Sequence, residues 1–354
     1  MPGVSDSRWA AEGTTPSQIE AALRDMLIER HAENEGFVPA RVLNMVCVVD
    51  KAWSGEIANR LRQVGRYHAS RTIVLSVDPD RSTVDAVATI ASDTQPKTGE
   101  FAPLRETVIV DVGDQHVAAL DTIVDPLLVT DLPTLLWSPH GHPEAIDTLL
   151  PLAQAVLLDS VDDPDLKDAL DRAQALARKA YVVDLAWLRS TPWRERVAAS
   201  FDPDHLRPDL EAISSVTVRH HPLSAAAGLL LIGWLASRLG WEPSTLTSRN
   251  GALAGTAHAW GQDVELLLEA EPDQNVAGLA GLTLETASGR NLELDRGPGG
   301  LRARHTNRDG DQRQWTVLGA SRGEAGVLGE GIRQALLRDP TYGPALEAAN
   351  CFAP

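Results

Sequence analysis

Short, continuous apolar runs separated by amphipathic stretches constrain the fold of this chain most strongly. Residues 42–49 and 72–77 lack the in–out alternation of a strand with one wet face, and both are too short for an ordinary helix. Such runs are typical of strands buried on both faces of a sheet. Between them, Trp53, Ile57 and Leu61 recur at helical spacing. Strands alternating with helices predict a layered α/β domain with a mostly parallel sheet.

The rest of the first half continues this rhythm. Ser17 and Glu20 have the spacing of a capping box, which predicts an N-terminal helix that ends near residue 32. Asp163 and Pro164 likewise predict the start of a helix. Further strands are expected at residues 84–90, 107–112, 132–137 and 155–158, the first two as an antiparallel edge hairpin, and helices at residues 116–128 and 143–152. This α/β domain is predicted to cover residues 1–180.

The second half of the chain has a different pattern. A helix is predicted from Pro192, a strand at residues 215–220 and a strongly hydrophobic helix at residues 225–239. Short strands then alternate with turn signals, of which the Asp-Gly pair at residues 309–310 is the clearest sign of a hairpin. Residues 181–354 are therefore expected to form an α+β domain with an antiparallel meander.

Charge and hydropathy argue against two classes of partner. The 49 acidic and 32 basic residues give a net charge of −17, which repels nucleic-acid backbones and anionic membrane surfaces. The most hydrophobic stretch, residues 225–236, is shorter than the roughly 20 residues that span a bilayer. With a polar N-terminus and only two cysteines, Cys47 and Cys351, the sequence favours a protein of the reducing cytoplasm.

The sequence lacks the motifs by which many enzymes are recognised. It contains no nucleophile elbow, no phosphate-binding loop and no dinucleotide fingerprint behind a strand. His140 and His142 follow a predicted strand and could share a metal, but no further ligands are evident, so a surface loop is the favoured interpretation. We therefore expect no catalytic residues, no metal and no cofactor.

One segment concentrates the residue types that dominate binding hot spots. Trp187, Arg189, Trp193 and Arg194 lie within eight residues, and Thr191 fits the N-cap of the helix that follows. These five residues are the candidate partner-binding site. From the residues alone, however, the favoured interpretation is that both tryptophans pack between the two domains while the arginines pair with neighbouring acids.

A second hypothesis gives the chain a small ligand. Open α/β sheets bind ligands at the carboxyl ends of their strands. Arg71, His140 and His142 would be the candidate groups for a sugar phosphate at that edge. In this alternative the chain is an enzyme or a sensor.

The order of several motifs resembles the glucose-6-phosphate dehydrogenase assembly protein (OpcA) family. The most specific parts are Thr-Pro-Trp-Arg at residues 191–194 and Gly-Trp-Leu-Ala-Ser-Arg-Leu-Gly-Trp at residues 233–241. Roughly residues 17–340 share the resemblance. The chain departs from it at residues 138–142, Ser-Pro-His-Gly-His, where the family usually has an aromatic-proline-glycine-like stretch.

The resemblance implies a non-catalytic function. A member of this family would bind glucose-6-phosphate dehydrogenase, promote its active oligomer or raise its affinity for glucose 6-phosphate. It would thereby regulate NADPH supply through the oxidative pentose phosphate pathway. An allosteric activator of this kind needs no cofactor of its own, and the five residues named above are the ones expected to contact the dehydrogenase.

Overall fold

The computed structural model describes residues 6–39, 41–64, 70–97, 99–139, 141–161, 163–318 and 323–354. They divide into two compact units. The first takes in the chain up to Leu158 together with Lys179–Val182 and Leu328–Leu336, and the second consists of Asp159–Arg178, Val183–Val327 and Leu337–Pro354.

The first unit is built on a mostly parallel sheet. Its strands are β1 (Ser7–Ala11), β2 (Phe37–Pro39), β3 (Leu43–Asp50), β4 (Ser70–Val77), β5 (Asp85–Ala91), β6 (Ala102–Val112), β7 (Thr134–Trp137), β8 (Ala155–Leu158) and β9 (Tyr181–Asp184). They lie in the order β1-β5-β6-β4-β3-β7-β8-β9, and β2 pairs with β6. The run from β6 through β4, β3 and β7 to β8 is parallel, whereas β5 is antiparallel to both β1 and β6.

The burial of these strands follows the sequence pattern. Strands β3 and β4 are buried along almost their whole length, as expected for strands covered on both faces. Strands β5 and β6 instead alternate between buried and more exposed residues, because one of their faces is less covered. The β5–β6 pair is antiparallel as predicted, but β1 lies outside β5. The expectation that this hairpin forms the sheet edge is therefore wrong.

The helices of the first unit are α1 (Pro16–Glu33), α2 (Ser54–Val64), α3 (Leu120–Val124) and α4 (Pro143–Leu149). The start of α1 differs from the prediction. Thr15 is the N-cap and shares a capping box with Gln18, so the expected box of Ser17 and Glu20 is wrong. Pro16 explains the shift, because its fixed φ and missing N–H suit the first position of a helix.

Two further helix predictions need correction. The helix α5 (Leu166–Ala177) is capped by Asp165, whose side chain accepts a hydrogen bond from the Asp168 N–H, and not by Asp163. The stretch expected to be one helix at residues 116–128 is broken, because the 3-10 turn Asp114–Ala119 precedes the five residues of α3. Both errors concern where a helix begins rather than which segment is helical.

The second unit is built on a sheet rich in antiparallel pairs. Its strands are β10 (Ile213–His220), β11 (Glu242–Pro243), β12 (Thr247–Arg249), β13 (Ala252–Ala259), β14 (Gln262–Ala270), β15 (Leu279–Thr286), β16 (Asn291–Gly297), β17 (Gly300–Thr306) and β18 (Gln312–Leu318). They lie in the order β11-β13-β14-β10-β15-β16-β17-β18, with β12 beside β13. Strands β10 and β14 are parallel, while β15 to β18 form the predicted antiparallel meander. The mixed α/β fold class is thus confirmed.

The remaining helices are α6 (Leu185–Arg189), α7 (Thr191–Phe201), α8 (Pro208–Glu211), α9 (Ala225–Leu239), α10 (Gly323–Leu337) and α11 (Tyr342–Phe352). Helix α9 covers the residues predicted for the hydrophobic helix and ends at Gly240, whose φ of 68° suits a glycine after a helix. Among the residues that the structure describes, no helix is both long and apolar enough to cross a membrane.

Helix α11, which we did not predict from the sequence, packs closely against α9 at Gly233. A Cβ atom on Gly233 would lie 2.3 Å from the Ala345 carbonyl oxygen and 2.7 Å from the Ala349 nitrogen. Both are backbone atoms, so the two helices would have to separate. At Gly228 on the same helix, the nearest atom is the tip of the Leu268 side chain, also at 2.3 Å, which can rotate away.

We expect Gly233→Ala to lower the free energy of unfolding by about 1–3 kcal/mol, because overpacking against backbone outweighs the helix propensity that alanine adds. The matched change Gly228→Ala should alter it by less than about 1 kcal/mol. Urea unfolding of both variants measures the difference. Equal free energies for the two variants would contradict the close α9–α11 crossing.

Candidate functional site

The segment singled out in the sequence forms two short helices at the end of β9. Asp184 is the last residue of β9 and the N-cap of α6, because its carboxylate accepts a hydrogen bond from the Ala186 N–H at 2.9 Å. Ser190 then separates α6 from α7. Its hydroxyl donates back to the Trp187 carbonyl at 2.7 Å, so the chain turns sharply between the two helices.

Thr191 is the first residue of α7, not its N-cap as predicted. Ser190 holds the capping position but makes no capping hydrogen bond with its side chain. The Thr191 hydroxyl instead accepts a hydrogen bond from the Arg194 guanidinium at 3.0 Å. Thr191 is half-buried, and its polar atom faces the interior of the segment.

A cation–aromatic cluster holds the two helices together. The Arg194 guanidinium lies over the Trp187 ring, 3.5 Å from the ring centroid, and also donates to the Trp187 carbonyl at 3.3 Å. The Trp187 indole N–H donates to Asp339 Oδ2 at 2.8 Å, and the same oxygen lies 3.8 Å from Arg194 Nη1. The Trp187 ring further packs against Tyr342, with centroids 5.7 Å apart.

The electrostatics of the cluster favour a charged pair. Burial lowers the pKa of Arg194 to about 10, against the opposing effect of Asp339, so the guanidinium stays protonated at neutral pH. Partial burial on its own would raise the pKa of Asp339. Hydrogen bonds from Thr341 and Trp187 and the charge of Arg194 outweigh burial and leave that pKa below its usual value.

The five predicted residues therefore occupy different environments. Trp187 and Trp193 are only 2% and 1% exposed, and Arg194 is also buried. Polar contacts join Trp187, Thr191 and Arg194, whereas Arg189 pairs with Asp159 at 2.6 Å and its side chain is only 9% exposed. The side chains of largest area thus support the fold of this segment, and Thr191 is half-buried.

Asp184 is a structural residue that the sequence reasoning missed. Its buried carboxylate accepts hydrogen bonds from the Ser160 hydroxyl, the Ser160 N–H at 3.2 Å and the Tyr342 hydroxyl at 3.1 Å, besides Ala186. Burial raises its pKa even though these hydrogen bonds act in the opposite direction. An Asp directly before a predicted helix is a capping signal, but nothing in the sequence indicates that Tyr342 contacts it.

The alternative sugar-phosphate site does not assemble. Arg71 lies near the amino end of β4, where it is buried and paired with Glu106 at 2.7 Å and Glu20 at 2.8 Å. His142 lies beyond the carboxyl end of β7, with Nε2 3.0 Å from Asp50. Along β4 the six residues that follow Arg71 up to the carboxyl edge span about 20 Å. The two groups cannot share a ligand, and His140 lies outside the described residues.

The carboxyl edge of the sheet is also acidic. Asp50 ends β3, Asp78 follows β4, and Asp111 lies near the end of β6, where Lys51 pairs with it at 2.5 Å. These carboxylates disfavour a phosphate group at the edge. Within the described ranges, no group of three or more His, Cys, Asp or Glu side chains could hold a metal ion.

Both halves of the chain match models of one protein family. Residues 62–175 match the glucose-6-phosphate dehydrogenase subunit N-terminal domain, and residues 180–346 match the C-terminal domain of the same subunit. The chain belongs to the OpcA family. Its resemblance to that family in sequence is therefore confirmed, across most of the chain.

Curated relatives carry the same family name. A protein of Synechococcus elongatus named OxPP cycle protein OpcA is 29% identical over 150 residues, which is 41% of this chain and 34% of that protein. Its namesake in Synechocystis sp. is 30% identical over 134 residues, 36% of this chain and 28% of the relative. These matches span about a third of the relatives' own length.

Solved structures of similar architecture are more distant. The WlbA (WbpB) dehydrogenase from Thermus thermophilus aligns with a TM-score of 0.45 and 14% identity, covering 87% of this chain and 94% of that one. The scyllo-inositol dehydrogenase from Lactobacillus casei aligns with a TM-score of 0.43 and 12% identity, covering 88% and 96%. Likeness at this level carries no argument about the function of this OpcA-family chain.

We expect Trp193→Ala to lower the free energy of unfolding by about 3–5 kcal/mol, because it empties a fully buried site in the core. Thr191→Val, at a half-buried position of the same helix, should lower it by about 1 kcal/mol, since a single hydrogen bond to Arg194 is lost. Chemical denaturation measures both changes. A near-neutral Trp193→Ala would mean that this side chain is not in the core.

Proposed function

We propose that this chain is a non-catalytic activator that binds glucose-6-phosphate dehydrogenase and promotes its active oligomer or its affinity for glucose 6-phosphate. The observation that carries the proposal is the family match, because models of both domains of a glucose-6-phosphate dehydrogenase subunit align with this chain. The relatives' name, an OxPP cycle protein, supports a role in the oxidative pentose phosphate pathway. In this proposal the chain works in the cytoplasm and influences NADPH supply without a cofactor of its own.

The buried segment suggests where the dehydrogenase would bind. Arg189 borders the loop that leads to β15, since a Cβ atom on Gly278 would lie 3.6 Å from the Arg189 side chain. The Gly278 N–H donates to the Ser224 hydroxyl at 2.9 Å, and the Gly278 carbonyl accepts from the His221 N–H at 2.9 Å. These bonds join the loop before β15 to the loop before α9.

Each of the two joined loops exposes an apolar side chain. Leu223 is 74% exposed in the loop before α9, and Val276 is about half exposed in the loop before β15. Exposed apolar side chains on hydrogen-bonded loops suit a protein interface better than a small-molecule pocket. We define the partner surface as Leu223 and Val276, bordered by Arg189 and Thr191.

In this proposal the buried residues of the segment act by positioning that surface. Trp187, Trp193 and Arg194 fix α6 and α7, and α6 places Arg189 against the loop before β15. The proposed interface thus contains the five residues singled out in the sequence, two at its border and three beneath it. Truncating a buried member would weaken binding through loss of the local fold.

Activation requires that the chain bind the working form of the dehydrogenase more tightly than the idle form. A difference of about 1–3 kcal/mol would change the affinity for substrate about 5- to 150-fold. A surface of the ordinary size for protein complexes can supply such a difference without any chemical step.

We expect the purified chain to lower the dehydrogenase's Michaelis constant for glucose 6-phosphate, measured from NADPH formation. Leu223→Asp should abolish most of this effect, because it places a charge in an apolar contact. Phe101→Asp is a matched control, since Phe101 is equally exposed but lies in the first unit, and should leave the effect intact.

Dehydrogenase kinetics that are indifferent to the wild-type chain at every substrate concentration would overturn the proposal. If the wild type activates and Leu223→Asp activates equally well, the function stands but the partner surface is wrong.

A further inference from the structure

An exposed tryptophan occupies an unfavourable backbone position at the tip of the β13–β14 hairpin. Ala259 pairs with Gln262, which leaves Trp260 and Gly261 as a two-residue loop. Both loop residues have positive φ, 53° and 80°, the pattern of a type I′ turn. The Trp260 residue is 66% exposed.

The neighbouring hairpin shows which residues this turn favours. Strands β12 and β13 are joined by Asn250 and Gly251, whose φ values are 51° and 84°. Asn-Gly is the preferred pair for such a loop, because Asn tolerates the left-handed region better than other residues with a side chain. A bulky residue there is an outlier. The turn therefore does not explain Trp260, and its exposure shows that core packing does not explain it either.

A strained backbone and an exposed aromatic ring together point to binding. Strain of this kind is kept where function uses the side chain it presents. Tryptophan is the residue most enriched among side chains that dominate protein interfaces, because a large apolar ring is buried with one polar N–H. The hairpin tip thus presents an indole outward, at the backbone position least suited to it.

The surrounding charge indicates what kind of partner fits. Near the tip, β14 carries the acidic residues Asp263 and Glu265, and neither β13 nor β14 contains Lys or Arg. Such a tip repels the phosphates of nucleic acids and anionic lipids, which argues against base stacking and against membrane insertion. An apolar protein pocket with a basic rim complements both the indole and the acids.

We infer that Trp260 is an anchor residue that inserts into an apolar, basic-rimmed pocket of the dehydrogenase, a contact that rests on the function proposed above. Gln262 donates to the Ile213 carbonyl at 3.5 Å, which places the tip at the start of β10, whereas Leu223 lies beyond its end. The eight residues of β10 span about 26 Å. A standard interface of about 800 Å² per partner, roughly 30 Å across, reaches both places.

The test is Trp260→Asn, which copies the Asn-Gly turn of the adjacent hairpin. We expect its Tm to rise by about 1–3 °C, because backbone strain is relieved, while its affinity for the dehydrogenase falls at least about 10-fold. Trp260→Phe, which keeps an aromatic ring, should retain most of the affinity. Leu318→Ala changes a comparably exposed side chain at the opposite end of the same sheet and should bind as the wild type does.

Titration calorimetry and thermal unfolding of the full chain distinguish the outcomes. If Trp260→Asn binds the dehydrogenase with wild-type affinity, Trp260 is not an anchor residue, although the proposed function still holds. If the wild-type chain does not bind the dehydrogenase, both the anchor role and the proposed function are wrong. A loss of affinity accompanied by a lower Tm would assign Trp260 to the fold and contradict the inference. A change from dimer to monomer in sedimentation of the isolated variant would identify a second copy as the occupant, and would also overturn it.

Discussion

The buried carboxylate of Asp184 is the contact on which the arrangement of the second unit depends. A carboxylate removed from water must be surrounded by donors, and Ser160, Ala186 and Tyr342 supply them from three separate stretches of chain. This fixes the start of α6, and α6 in turn places Trp187 under Arg194. The Trp187 indole N–H in turn donates to Asp339, which lies shortly before α11. Helix α11 packs against α9 at Gly233, where only a glycine allows so close an approach.

The pairing of polar side chains within the fold bears on the proposed function. Three arginines considered as candidate ligand or partner groups are paired within the fold: Arg71 with two glutamates, Arg189 with Asp159, and Arg194 with a ring, a carbonyl and Asp339. In the account proposed here, the chain acts through side chains that its own fold leaves exposed, and the buried cluster keeps those side chains in place.

Local patterns in the sequence predicted more of the fold than of the site. Uninterrupted apolar runs identified β3 and β4, and the hydrophobic stretch at residues 225–239 identified α9, because burial on all sides is visible as composition. Burial of Trp187 was one of the two interpretations of the sequence, but its partners Asp339 and Tyr342 could not be predicted, since they lie more than 150 positions away. The left-handed φ of Trp260 could not be predicted for a different reason. A type I′ turn favours Asn at this position, so a Trp there does not indicate such a turn. Both residues are tryptophans, so residue type alone does not tell a buried side chain such as Trp187 from an exposed one such as Trp260. The contacts made in the folded chain and the backbone conformation do.

The proposed function requires that this chain favour the working form of a partner. Binding of the chain to glucose-6-phosphate dehydrogenase, measured by calorimetry with and without saturating glucose 6-phosphate, tests it most directly. Thermodynamic linkage requires that an activator which raises substrate affinity bind more tightly when substrate is present, by the same factor of about 5 to 150. An activator acting through oligomer assembly should likewise bind the substrate-stabilised oligomer more tightly. Equal affinity in the two titrations, or none in either, would contradict the account.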